Sequence, residues 1–175
     1  RSVPRTIVAT DDERILSAVR SFGGEAVMTR AEHPNGTSRI AEVMEGVEAD
    51  IVLNIQGDEP EIEPGILESL VEATRGENVG TLATPFANPE DADRPDRVKV
   101  VRDVSGYAMY FSRSRIPSSG PALLHIGLYG FRRDFLKQYV KLPPTPLETA
   151  ERLEQLRALE HGIRIQVGIV AWRRG

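Results

Sequence analysis

Asp50-Ile51-Val52-Leu53-Asn54-Ile55-Gln56-Gly57-Asp58-Glu59-Pro60 is an apolar run that stops abruptly in Gln, Gly, Asp, Glu and Pro. A run of this length bounded by turn residues predicts a strand buried on both faces, as in a parallel sheet. Open parallel sheets bind ligands just beyond the carboxyl ends of their strands. The strand therefore carries Gln56 and Asp58 to the rim where such a fold places its chemistry. Gly57 permits a turn and a close approach of backbone to ligand. Asp58 offers the hard oxygen donors that Mg²⁺ takes alongside substrate phosphates. Gly, Asp and Pro also end strands that bind nothing, so the segment alone leaves both readings open.

Working outward, residues 6–10 (Thr-Ile-Val-Ala-Thr) predict a first strand. Asp11 or Asp12 caps a helix with Ile15, Leu16, Val19 and Phe22 at helical spacing, and Gly23-Gly24 ends it. A short strand over 25–29 leads to the polar loop His33-Pro34-Asn35-Gly36, and a helix begins near Thr37-Ser38. After Pro60 a helix starts near Pro64, the first-turn position that proline prefers, and residues 79–86 form a further strand. This alternation argues an α/β layered sheet with right-handed crossovers. Residues 98–102 and 107–111, separated by Asp103-Val104-Ser105-Gly106, then predict a hairpin, an edge ribbon or a dimer surface. Residues 123–131 predict a strand and 134–140 a short helix. Thr145-Pro146-Leu147-Glu148 opens a helix that carries Leu147, Ala150, Leu153, Leu156 and Leu159 inward as far as His161-Gly162, before a last strand over 163–167.

Composition bounds the function. A chain of 175 residues with 40% hydrophobic content suits one domain with a sizeable core. The net charge of −4, with Lys and Arg scattered, argues against a dedicated nucleic-acid or membrane surface. The absence of cysteine removes disulfides, thiol nucleophiles and cysteine metal sites, and fits a cytosolic protein. No run approaches a membrane span and no signal peptide opens the chain. No Met begins it either, and Arg1-Ser2-Val3-Pro4 runs almost straight into a strand, as in a fragment or a chain written without its ends. Walker-type, Gly-x-Gly-x-x-Gly and Gly-x-Ser-x-Gly motifs are absent.

Four further groups of residues can carry chemistry. Gly36-Thr37-Ser38-Arg39 sits at a helix N-terminus, which favours anions, and Arg39 adds a fork of donors. In His125-Ile126-Gly127-Leu128-Tyr129, alternation puts His125, Gly127 and Tyr129 on one face, as if a ligand lies across it. Glu151 and Glu154 are i, i+3 neighbours in the helix after Pro146, with Gln155 beside them. Arg113 and Arg115 follow the hairpin, and Arg suits carboxylates and phosphates. Read singly, each group equally describes an ordinary cap, a satisfied half-buried pair or a solvated face.

Taken together, Val8-Ala9-Thr10-Asp11-Asp12, Asn54-Ile55-Gln56-Gly57-Asp58-Glu59-Pro60, Val98-Lys99-Val100-Val101, Gly106-Tyr107-Ala108-Met109-Tyr110-Phe111-Ser112-Arg113, His125-Ile126-Gly127-Leu128-Tyr129-Gly130-Phe131, Pro146-Leu147-Glu148 and Leu153-Glu154-Gln155-Leu156-Arg157 resemble the 3-deoxy-manno-octulosonate cytidylyltransferases, or CMP-KDO synthetases, in order and over nearly the whole chain. The resemblance implies one nucleotidyltransferase domain over 1–175. Its fold would be a three-layer α/β/α, mostly parallel, Rossmann-like sheet with a hairpin-containing dimerisation extension. It implies a cytoplasmic, homodimeric enzyme that joins CTP to KDO, releasing pyrophosphate and CMP-KDO for lipopolysaccharide assembly. By similarity, Asp58 holds Mg²⁺ and forms the catalytic pair with Gln56. His125, Tyr129, Glu154 and Gln155, with Gln56, shape the sugar site; Arg39 lies on the nucleotide side and Arg113 near the sugar carboxylate. The family's opening Arg-x-x-Ser-x-Arg-x-Pro-Gly-Lys loop and its closing Gly-x-Asp-Thr-Pro block, whose Asp is a second metal ligand, have no counterpart here, and the loop 116–121 is shorter. These 175 residues by themselves are therefore expected to be inactive. A cytidylyltransferase for another acidic sugar such as sialic acid, a nucleotide-binding module without turnover, and a scaffold that acts only by dimerising through 98–113 are the alternatives.

Overall fold

Several helices begin where the sequence supplies a cap or a first-turn proline. In the computed structural model, which describes residues 3–57 and 62–172, the order is β1 (Ile7–Thr10), α1 (Glu13–Ser21), β2 (Glu25–Met28), α2 (Gly36–Val43), β3 (Ile51–Asn54), α3 (Pro64–Thr74) and β4 (Val79–Pro85). There follow β5 (Lys99–Arg102), β6 (Ala108–Ser112), β7 (Leu123–Arg132), α4 (Arg133–Tyr139), α5 (Pro146–Glu151), α6 (Leu156–Glu160) and β8 (Ile165–Ile169). Asp12 accepts from the backbone N–H of Arg14 at 2.8 Å, Asn35 from that of Ser38 at 2.9 Å, and Thr145 and Glu148 form a capping box. Pro64 and Pro146 occupy first-turn positions, as expected.

The sheet is mixed rather than mostly parallel, which corrects the expectation. Its strand order is β6-β5-β7-β4-β8, with β3 also on β7. β7 runs antiparallel to β3, β4 and β5, whereas β4 and β8 pair in parallel. The hairpin is the cause. Its turn reverses the chain once, and β7 keeps the direction of β6, because residues 113–122 hold no helix or strand that would turn the chain again. The sequence disclosed the hairpin but not that it is built into the main sheet. Tyr107, at its turn, forms a bridge with Gln166 of β8, so the ribbon curls back toward the far edge. β1 and β2 form a separate parallel pair, and α2 packs against both β1 and β3.

Helices cover both faces of the main sheet, so the layered α/β expectation holds. On one face α3 buries Ile66 and Leu70 against Leu82, Ile126 and Leu128. It lies so close that a side chain on Gly80 would stand 2.6–2.7 Å from Thr74 and Ala73. On the other face Phe111, Phe131, Leu136, Tyr139, Leu153, Leu156 and Ile165 share the larger core.

The helix expected to run from Pro146 through Leu159 is two helices. Arg152 takes the left-handed conformation (φ 54°) and ends α5, and Gln155 starts α6. Glu151 is drawn to the hairpin, where it accepts from Ser112 Oγ (2.9 Å) and the Arg113 backbone N–H (2.9 Å). The break separates Glu151 from Glu154, so the two are not the i, i+3 neighbours that helical spacing predicted. Arg157 pairs with Glu148 rather than with either of them.

Candidate active site

β7 is long enough to serve two strands on one edge. Its C-terminal half pairs with β3, from Arg132 opposite Ile51 to Tyr129 opposite Asn54. Its N-terminal end pairs with β5, at Leu124 opposite Lys99 and Leu123 opposite Val100, and the His125 N–H reaches Val98 O at 2.8 Å. Between these two ladders β3 has ended and β5 has not begun. The gap lies at the carboxyl end of β3, the rim at which the opening sequence segment pointed.

A directed chain of hydrogen bonds crosses this rim. Gln56 Nε2 donates to Asn54 Oδ1 (3.4 Å), Asn54 Nδ2 to Thr37 Oγ1 (3.3 Å), and Thr37 Oγ1 to Glu154 Oε2 (3.2 Å). Each donor points toward the carboxylate, so the chain stabilises negative charge at its end. Gly36 makes room for it: a Cβ there would stand 3.3–3.4 Å from the Gln56 amide. Burial nevertheless holds the Glu154 carboxyl above the usual carboxylate range, with the Thr37 hydrogen bond acting in the opposite sense. Glu154 Oε1 has no hydrogen bond among the described residues, and Tyr139 OH fixes the backbone by donating to Glu154 O at 3.1 Å.

Glu154, Gln155, Thr37, Tyr129 and Tyr139 line one recess over Val79, Phe131 and Ile165. Its closed part is about 20 Å³, room for a water rather than a sugar. Any larger ligand therefore lies across its mouth. Burial raises the Tyr129 phenol well above its ordinary range, so Tyr129 stays a neutral hydroxyl. The His125 ring stands 5.5 Å from the Tyr129 ring and edge-on to Phe111 at 4.9 Å, and burial lowers its pKa to about 3.

The sequence-predicted residues thus fall into four groups. Gln56, His125, Tyr129, Glu154 and Gln155 meet along the rim of β3 and β7. Arg39, on α2, turns to the ends of β1 and β2, where it donates to Thr29 Oγ1 (2.6 Å), Arg30 O (3.3 Å) and Asp11 Oδ2 (3.0 Å). Arg113 donates to three carbonyls, those of Glu151 (2.9 Å), Arg152 (3.3 Å) and Pro95 (3.3 Å), and so holds the turn that precedes Glu154 and Gln155. Asp58, the expected metal ligand, lies outside the described residues. Among the described residues no group of three or more His, Cys, Asp or Glu side chains could hold a metal ion.

In the sequence Asn54 reads only as a strand residue and Thr37 as part of an anion-favouring helix start, not as links between Gln56 and Glu154, and Tyr139 and Thr81 belong to no motif. An Asn closing an apolar strand was a usable signal, because a buried amide needs partners. A Thr inside the apolar run 79–86 gave none.

The chain matches the cytidylyltransferase family model over residues 1–165. The chain belongs to this family. It is 48% identical to a 3-deoxy-manno-octulosonate cytidylyltransferase of Geobacter sulfurreducens, an alignment that covers 95% of this chain and 74% of the relative. It is 50% identical to the enzyme of the same name from Fusobacterium nucleatum, covering 92% and 69%. Among solved structures, CMP:2-keto-3-deoxy-manno-octonic acid synthetase complexed with CTP superposes with a TM-score of 0.92 at 45% identity, covering 97% of this chain and 73% of that one. As a cytidylyltransferase the chain is a nucleotidyltransferase, on an α/β fold with a mixed sheet. Among the described residues no helix is long and apolar enough to cross a membrane.

Proposed function

We propose that this cytidylyltransferase activates KDO with CTP, giving CMP-KDO and pyrophosphate, and that the gap on β7 between β3 and β5 is its sugar site. The supporting observation is the convergence of His125, Tyr129, Glu154 and Gln155, from two distant parts of the sequence, on one rim ended by Gln56. They form a wall of neutral donors and acceptors beside one carboxylate, suited to a polyhydroxylated ligand. A site built to hydrogen-bond hydroxyls strongly rejects analogues that lack them.

In this reading the anomeric hydroxyl of the sugar attacks the α-phosphorus of CTP and pyrophosphate leaves on the opposite side. Such transfers depend chiefly on positioning and charge neutralisation. Gln56 and the Asn54–Thr37–Glu154 chain orient the sugar, and Tyr129 and Gln155 close over its hydroxyls. Arg39 braces the nucleotide side through Asp11 and Thr29, and Arg113 braces the sugar side through the 151–152 turn. A donor set of one carboxylate, Asp58, together with substrate phosphates fits Mg²⁺, which when bound would offset charge on the phosphates. The enzyme is read as cytoplasmic, one domain over 1–175, with its product entering lipopolysaccharide assembly. Exposed Val104 and Met109 on the hairpin support a homodimer contact there.

Calorimetry with CTP and Mg²⁺ on the protein that carries this chain, followed by product analysis with KDO, tests the reading. Nucleotide binding followed by CMP-KDO formation is expected. Binding without product would reduce the protein to a nucleotide-binding module.

A further inference from the structure

The ladder between β4 and β7 slips once. Thr81 faces Tyr129 and the next residue, Leu82, faces Ile126, so Gly127 and Leu128 bulge out of β7. Because the excess is two residues, His125 and Tyr129 stay on the same face as Thr81. The Thr81 hydroxyl donates to the Leu128 carbonyl at 2.7 Å, with Ile126 O further off at 3.4 Å. The same oxygen lies 2.9 Å from His125 Nε2.

A hydroxyl has one hydrogen. A carbonyl can only accept, so that hydrogen is committed to Leu128, and the oxygen must accept from His125. The proton of the imidazole is then on Nε2. Burial keeps the ring neutral, with a pKa lowered to about 3, so it carries no second proton. Nδ1 is left as a bare lone pair, and it makes no hydrogen bond among the described residues.

We propose that Thr81 is a positioning residue that locks His125 in the Nε2–H tautomer, so that Nδ1 selects a hydrogen-bond donor on the ligand: a sugar hydroxyl rather than a carboxylate, ether or phosphate oxygen. The inference rests on His125 lining the sugar site. It sets the sense in which the sugar lies. A hydroxyl faces β7, and the carboxylate points away from His125, because two lone pairs facing each other repel. Locked tautomers of this kind depend on the partner of the other ring nitrogen, and here that partner is one threonine whose own hydrogen is fixed by the bulge.

Long-range proton–nitrogen correlation on protein labelled in its three histidines reads the tautomer directly. The His125 signals are identified by their loss in His125→Asn. The wild-type ring should be Nε2–H, and KDO added to the CTP–Mg²⁺ complex should shift Nδ1. Thr81→Val should lose the single tautomer and raise KM for KDO about tenfold with KM for CTP unchanged, the size of one lost hydrogen bond. Thr81→Ser should restore both. A wild-type ring found as Nδ1–H or as a mixture overturns the inference, whatever the fate of the valine variant. A ring found as Nε2–H whose Nδ1 ignores KDO overturns instead the placement of His125 in the sugar site.

Discussion

Thr37 and Glu154 stand 117 residues apart in sequence and 3.2 Å apart in the fold, hydroxyl to carboxylate. This contact joins the N-terminus of α2 to the turn before α6 across the proposed sugar site. Thr37→Val leaves a buried carboxylate without its donor, which costs about 1–3 kcal/mol. The variant should lower the urea midpoint without changing the slope and reduce kcat/KM for KDO at least about tenfold. Thr37→Ser should retain both. Unchanged kinetics in the valine variant would remove the chain of donors from the mechanism.

Burial sets the acid limit of stability through His125. Its pKa falls from 6.5 to about 3 in the folded state. Between those values the unfolded chain binds a proton that the native state refuses, so stability falls as pH drops through that window and is fully present above about 6.5. The slope is at most about 1.4 kcal/mol per pH unit. Glu154 acts in the opposite sense: its raised carboxyl binds a proton in the native state first, so its contribution is lost as pH rises past the ordinary carboxylate range. Urea unfolding from about pH 7 to about pH 4.5 should show a loss toward acid that His125→Asn flattens. An equal slope in the two proteins would mean that His125 is not buried as described.

The turn at Arg152 is needed as a backbone shape, not as a side chain. Its φ of 54° suits glycine, and its N–H donates to Glu148 O. Arg152→Gly should leave stability within about 1 kcal/mol and keep activity. Arg152→Pro forbids that φ and removes the donor, which costs about 3 kcal/mol or more. A tolerated proline would show that α5 and α6 can be one helix after all.

Gln155 is a buried amide at the start of α6, on the recess shared with Tyr129 and Glu154. Gln155→Ala should raise KM for KDO more than KM for CTP. An equal rise for both would withdraw it from the sugar side. If Asp58 holds Mg²⁺ as proposed, Asp58→Asn should cost orders of magnitude in turnover with the fold intact, the loss of several kcal/mol of charge compensation, and near-normal turnover would withdraw the metal role.

Local chemistry made much of this legible in sequence. Asp12, Pro64 and the Thr145–Glu148 box announced their helices, and the apolar run before Gln56 announced the rim. What escaped was set by pairing at long range. Nothing in residues 98–112 tells that their hairpin joins the main sheet and sends β7 backwards. The helical spacing from Leu147 to Leu159 is real as a pattern, yet the helix ends at the left-handed Arg152 and Glu151 bonds to Ser112 and the Arg113 N–H, partners distant in sequence. The family's motifs named Gln56, His125, Tyr129, Glu154 and Gln155, which meet along the rim of β3 and β7. Asn54, Thr37 and Thr81, which hold those residues in place, became visible only once partners far apart in the chain were brought together.

The most direct measurement is pyrophosphate release by the protein that carries this chain, supplied with CTP and Mg²⁺ and either KDO or sialic acid. The account predicts release with KDO, matched by CMP-KDO in equal amount, and little with sialic acid. Release with sialic acid and not with KDO, or nucleotide binding with no release from either sugar, would contradict it.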